Sequence, residues 1–175
     1  GEIVRKMLPF FFVLPVFLTI TRQDNIKHYI GAFLLGISIS ETLSYLIWFE
    51  VIDPFKYATL SNPTPLMSHI SYNPFLAFAI YLVLNKLFSG EKISQIERAT
   101  YTFFSITMTI NMFITGGRAG HVMFFAAIVI VMFQYFRNSQ IKAILTSSIL
   151  IILISYTAFN LSPTFQARVN SAFDN

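Results

Sequence analysis

The chain has 175 residues, 55% of them hydrophobic and 17% aromatic, with twenty Phe and only 11% charged. A soluble domain carries about a quarter charged residues, so the balance points to an all-α integral membrane protein. The net charge of +4 comes from cations scattered between apolar stretches, which excludes nucleic acid as a partner, and the absence of Cys excludes disulfides, thiolate zinc sites and cysteine nucleophiles.

In chain order, the sequence opens Gly1-Glu2-Ile3-Val4-Arg5-Lys6 without a start methionine and ends at Asp174-Asn175 shortly after an apolar stretch. Residues 1–175 are therefore expected to be a single polytopic domain, cut from a longer protein at both ends. No small-residue cleavage site follows Ile20, so no cleaved leader is expected. Met7 to Ile20 is the first apolar block, short for a span, with Pro9 in its first turn and Pro15 where it kinks the helix. Arg5 and Lys6 extend it by snorkelling, or it lies tilted or broken.

Tyr29 to Phe49 is a full-length span with Tyr29 and Trp48 as interfacial anchors. It contains Glu41, whose ionised form costs at least about 2.5 kcal/mol at the centre of a membrane helix, so this carboxyl must face protein or water. It reads either as a proton or ligand contact or as a neutral acid hydrogen-bonded to a neighbouring helix, near Ser38, Ser40 and Ser44. Glu50 to Ser71 is a polar connection broken by Pro54, Pro63 and Pro65. Its end carries His69, a lone histidine with no second one at ligand spacing, so no metal site is expected. His69 is either a solvated loop histidine or a lesser site candidate. The third span runs from Tyr72 or Phe75 to Phe88, and Ser89 to Arg98 is a polar link.

The apolar run from Tyr101 to Tyr135 is interrupted by Thr115-Gly116-Gly117-Arg118-Ala119-Gly120-His121. As one helix that run would reach about 50 Å, against a hydrocarbon core of about 30 Å, so the chain must turn. Gly116 and Gly117 permit the positive φ that closes a helix, which predicts a tight hairpin at Gly116–Arg118 between spans Ala99 to Thr115 and Ala119 to Phe136. Arg118, in the first turn of the second span, joins a fork of donors to the free N–H groups of a helix N-terminus, a combination suited to phosphate or pyrophosphate. Gly117, Ala119 and Gly120 would supply the backbone around that ligand. The alternative is that Arg118 snorkels to the headgroups. Thr107, Asn111 and Thr115 recur every fourth residue, share one face and lead to the arginine, as a path to the site or as interhelical glue. His121, one turn after Arg118, either contacts the same phosphates or sits at the interface. Arg137 to Lys142 is a cationic turn, Ala143 to Phe159 the last span, and Pro163 stops that helix.

Six spans result. With the links after residues 20, 88 and 136 in the cytoplasm, seven of the twelve Lys and Arg lie there, which places His69, Arg118 and the final tail outside. There is no phosphate-binding G-x-x-x-x-G-K-[ST] loop, no H-E-x-x-H and no G-x-S-x-G, so ATP-driven pumping, zinc proteolysis and serine hydrolysis are not expected.

The Thr-Gly-Gly-Arg-Ala-Gly turn between long apolar helices, preceded by a proline-rich loop and the span Ser71-Tyr72-Asn73-Pro74-Phe75-Leu76-Ala77-Phe78-Ala79, resembles the O-antigen ligase and polymerase superfamily over residues 60 to 175. The resemblance implies a bacterial inner-membrane, multi-pass glycosyltransferase of lipopolysaccharide biosynthesis. Such enzymes take a glycan from undecaprenyl pyrophosphate on the periplasmic face and pass it to a hydroxyl acceptor, lipid A core in ligases and another lipid-linked glycan in polymerases. It implies Arg118 as a ligand of the donor pyrophosphate, no cofactor and no metal, and a general base on a loop beyond Asn175. Ligation is the expected activity and polymerisation its alternative. A transporter or flippase with Arg118 and Glu41 on its path, and an assembly subunit without a site, remain alternatives of other classes.

Overall fold

The computed structural model describes residues 25–90 and 92–173, with the backbone alone at Arg118, Arg168 and 171–173. The described residues are all-helical, with six helices: α1 (Ile26–Trp48), α2 (His69–Phe88), α3 (Gln95–Ile114), α4 (Arg118–Tyr135), α5 (Gln140–Leu161) and α6 (Pro163–Phe173). The first expected span, Met7 to Ile20, lies outside the described residues. The chain divides into two compact units within α1, after Gly36, and the packing that positions the candidate site lies within the second, Ile37–Asn175.

Each helix boundary has a local cause. α1 ends with Glu50 N–H bonded to the Ile47 carbonyl at 3.0 Å and Val51 N–H to the Leu46 carbonyl at 2.9 Å, the paired bonds of a Schellman turn. Its left-handed position is filled by Glu50, at φ 58°, rather than by glycine. α3 starts four residues before the expected Ala99, because Ser94 and Glu97 form a capping box. The Ser94 hydroxyl accepts from Glu97 N–H at 3.2 Å, and the Glu97 carboxylate accepts from Ser94 N–H at 2.8 Å. α2 likewise starts earlier than expected, so His69 and Ser71 lie in its first turn, and Pro74 is accommodated inside it. Pro163 does end α5, but it also opens a helix the sequence reading did not foresee. The Ser162 hydroxyl accepts from Phe165 N–H at 3.1 Å, with Pro163 at the first helical position, where its missing N–H costs nothing.

α2 and α4 run parallel. Near their starts Asn73 lies against Gly117 and Gly120, and near their ends Asn85 donates to Gln134 at 2.7 Å. α3 runs against α2, since Tyr72 meets Asn111 and Asn73 meets Thr115. The last part of α1 lies along α3, with the Tyr45 hydroxyl donating to the Thr107 carbonyl at 2.7 Å. This arrangement gathers the 49–68 loop, the α3–α4 turn and the α5–α6 junction at one end of the bundle. Pro63, Thr64 and Pro65 of that loop are buried there.

Three helices, α1, α2 and α5, are long and apolar enough to cross a membrane. α4 contributes a shorter apolar stretch, Ala119–Tyr135. α3 is made less apolar by Glu97, Arg98 and its hydroxyl side chains. Apolar side chains fill the core and also cover much of the outside, which departs from a water-soluble bundle, and several polar side chains lie within. Ile149, Ile152 and Tyr156 of α5 are 63%, 69% and 72% exposed, whereas Ser44, Asn73, Asn111 and Thr115 are fully buried.

Candidate functional site: the Arg118 hairpin and its buried polar support

The turn is held differently from the sequence expectation. Gly117 stands at φ −84°, and among the described residues the glycine with positive φ is Gly90. α3 closes through Thr115, extended at φ −93° and ψ 142°. Gly117 and Gly120 are needed for room rather than for a left-handed turn. A Cβ on Gly120 would meet the Asn73 Cβ, the Asn73 backbone carbon at 2.8 Å and its Cα at 3.0 Å. A Cβ on Gly117 would meet Asn73 Nδ2, with Cγ at 2.8 Å and Cβ at 2.9 Å. α4 therefore enters directly on the flank of α2.

The last carbonyls of a helix have no intrahelical partner. Here side chains from three elements take them. The Met112 carbonyl accepts from His121 Nε2 at 3.0 Å, which fixes the ring proton on that nitrogen. The Phe113 carbonyl accepts from the Ser162 hydroxyl at 2.6 Å. Asn73 Nδ2 lies 3.5 Å from both the Thr115 and the Gly117 carbonyl, while Asn73 Oδ1 accepts from the Thr115 hydroxyl at 2.6 Å. From the proline-rich loop, Asn62 Oδ1 accepts from Gly116 N–H at 2.9 Å. Thr64, beside it, is buried with its hydroxyl unpartnered.

Arg118 is the first residue of α4, and its side chain lies outside the described structure. Of the backbone positions expected around it, Gly117 is the N-cap and Ala119 is exposed. Gly120 is buried against Asn73, and its N–H is already donated to the Gly117 carbonyl at 3.1 Å, as is that of His121 at 3.4 Å. The N–H groups of Gly120 and His121 are therefore not open to a ligand. His121 is buried, stacked on Phe113 at 5.1 Å and edge-on to Phe165 at 5.2 Å, so it clamps α3, α4 and α6 together. His69 is half-buried at the start of α2.

Thr107, Asn111 and Thr115 form one seam, half-buried at Thr107 and fully buried at Asn111 and Thr115. Asn111 donates to the Ser44 hydroxyl at 2.9 Å and accepts from the Tyr72 hydroxyl at 3.0 Å, which ties α1 and α2 to α3. Glu41 lies at the Thr107 end, away from the turn. Thr107 adjoins its carboxyl. The Thr107 hydroxyl, however, meets the Phe104 carbonyl at 3.3 Å, and neither carboxyl oxygen has a hydrogen bond of normal geometry. The structure thus brings together Thr115, Asn111 and the turn, places Glu41 lower on the same seam, and turns His121 inward.

Sequence reasoning missed Asn73, Asn62, Tyr72 and Ser162. Asn73 carried a usable signal, an amide inside an apolar span directly before a proline. Asn62 carried none.

Beside the turn lies an open apolar groove of about 370 Å³ lined by Trp48, Ile110, Phe113, Leu153 and Thr157 among others. A larger cavity, of about 880 Å³, lies at the far end of α2 and α4 around Asn85 and Gln134, away from Arg118. Comparison with protein-family models, with curated proteins and with solved structures gives no match.

Proposed function

We propose that the chain belongs to a multi-pass protein of the bacterial inner membrane that transfers a glycan from undecaprenyl pyrophosphate to a hydroxyl acceptor on the periplasmic face, ligating O-antigen to lipid A core. The large apolar outer surface, with polar side chains such as Asn73, Asn111 and Thr115 kept inside, supports the membrane setting. The observation that carries the site is the α3–α4 turn, whose carbonyls, glycines and N–H groups are fixed by Asn73, Asn62, His121 and Ser162. A turn held in this way presents Arg118 and the start of α4 in one geometry, as electrostatic stabilisation of a leaving group requires.

In this reading the acceptor oxygen bonds to the anomeric carbon as the bond from that carbon to the pyrophosphate oxygen breaks, and the acceptor's hydroxyl proton passes to a general base. Negative charge builds on the departing undecaprenyl pyrophosphate, where Arg118 and the start of α4 act on it without a metal. The apolar groove beside Phe113 offers a surface for the carrier's hydrocarbon chain.

Replacement of Arg118 by Ala and by Lys in the intact protein, in its own host, tests this. Lipopolysaccharide on a gel is read beside the pool of undecaprenyl-linked glycan. Loss of long-chain lipopolysaccharide while long glycans accumulate on the carrier is the expected result, with Lys only partly replacing the bidentate fork. Accumulation of single repeats assigns polymerisation instead. Unchanged pools at normal protein levels overturn the phosphate site.

A further inference from the structure

Of the eight Asp and Glu in the chain, Glu41 is the one inside a predicted span. It is 3% exposed, and neither carboxyl oxygen makes a hydrogen bond of normal geometry, although the Thr107 side chain adjoins them. The polar groups around it are committed elsewhere. The Tyr45 hydroxyl donates to the Thr107 carbonyl, the Tyr72 hydroxyl to Asn111 Oδ1, Asn111 Nδ2 to the Ser44 hydroxyl, and the Thr107 hydroxyl to the Phe104 carbonyl. The titratable groups that interact with it are Tyr45 on its own helix and Tyr72 on α2. α3 faces it with Thr107 and Asn111, which are neutral, and among the described residues no cation faces it.

A carboxylate at this place would leave a full charge and two acceptors unpaired in a dry interior, which proteins avoid unless a partner is present. A metal ion asks for several ligands, and among the described residues no group of three His, Cys, Asp or Glu could hold one. A proton asks for a single oxygen. We propose that Glu41 is a proton-binding site within the membrane-spanning bundle, at the inner end of the Thr107, Asn111 and Thr115 seam. Loss of the proton would require Tyr45, Tyr72 or Asn111 to turn to the carboxylate, releasing bonds that tie α1 and α2 to α3. Proton occupancy is thereby linked to the helix that ends in the Arg118 turn. The proposal is independent of the transfer reaction.

The test uses the chain reconstituted in phospholipid vesicles and treated with dicyclohexylcarbodiimide, an apolar reagent for protonated carboxyls. The acid O–H adds across a C=N bond of the reagent, and the O-acylisourea rearranges to a stable N-acylurea. Peptide mass spectrometry is expected to find the dominant adduct on Glu41, decreasing as pH rises and unaffected by Na⁺ at constant pH. Absence of the adduct overturns the proposal, and protection by Na⁺ replaces the proton with a metal cation. Infrared spectroscopy gives an independent reading, whether or not Glu41→Gln folds. The native chain should show at neutral pH the C=O stretch of a protonated carboxylic acid that shifts in D₂O, and carboxylate bands alone would overturn the assignment.

Discussion

The face of α3 carries two polar neighbourhoods about two helical turns apart, and they are built on opposite terms. Around Thr115 the hydroxyl has Asn73, the Met112 and Phe113 carbonyls have His121 and Ser162, and Gly116 N–H has Asn62. Around Thr107 a carboxyl lies just as deep with neither oxygen bonded. A buried network in which all but the Thr64 hydroxyl is paired fixes one arrangement, whereas a carboxyl with neither oxygen paired keeps capacity for something else. The turn is therefore the rigid part of the seam, and Glu41 its receptive part.

The largest expected effect that breaks this contrast is at Gly120. Gly120→Ala forces a methyl group into the α2 backbone at Asn73 and should cost about 3 kcal/mol, the upper range for overpacking, read as thermal unfolding in detergent. Gly117→Ala meets only the Asn73 side chain and should cost about 2 kcal/mol. Adding Asn73→Ala should recover part of the Gly117 loss and none of the Gly120 loss. Equal recovery at both would show that Gly120 does not rest on the α2 backbone. Next in size, Tyr72→Phe leaves Asn111 Oδ1 buried and unpaired and should cost about 1 to 2 kcal/mol by the same measurement.

The smallest effect sharpens the comparison with a third carboxyl. Glu97 is fully exposed, and the Ser94 backbone N–H, then the Ser94 side chain, then the Lys86 charge hold it below its ordinary value of 4.5. Because the folded value is the lower one, its contribution is complete above about 4.5 and is lost as pH falls through the folded value. The difference in melting temperature between the native chain and Glu97→Gln should therefore be present at neutral pH and vanish in acid. A difference that persists in acid would mean that the capping box stabilises by shape rather than by charge.

Five of the six helices were legible as apolar runs between polar links, because the length of each run and its flanking cations state where a helix must be. The four-residue recurrence of Thr107, Asn111 and Thr115 likewise gave a shared face. The reason for Gly117 and Gly120 was not legible. A glycine needed for positive φ and one needed for close approach look the same in sequence, and only the presence of Asn73 across the contact separates them. His121 read as either a phosphate contact or an interfacial histidine because it stands one turn past Arg118, yet the aromatic cluster that buries it comes from Phe113 and Phe165, far apart in the chain. α6 was hidden for a related reason, since Ser162-Pro163 both stops one helix and starts the next.

That serine has one more consequence. Its oxygen is the hinge pin between two levers: it starts α6 by accepting from Phe165 and grips the last turn of α3 by donating to Phe113. A pull on α6 therefore reaches the helix that leads to Arg118 along two routes, through this serine and through the Phe165 ring against Phe113 and His121.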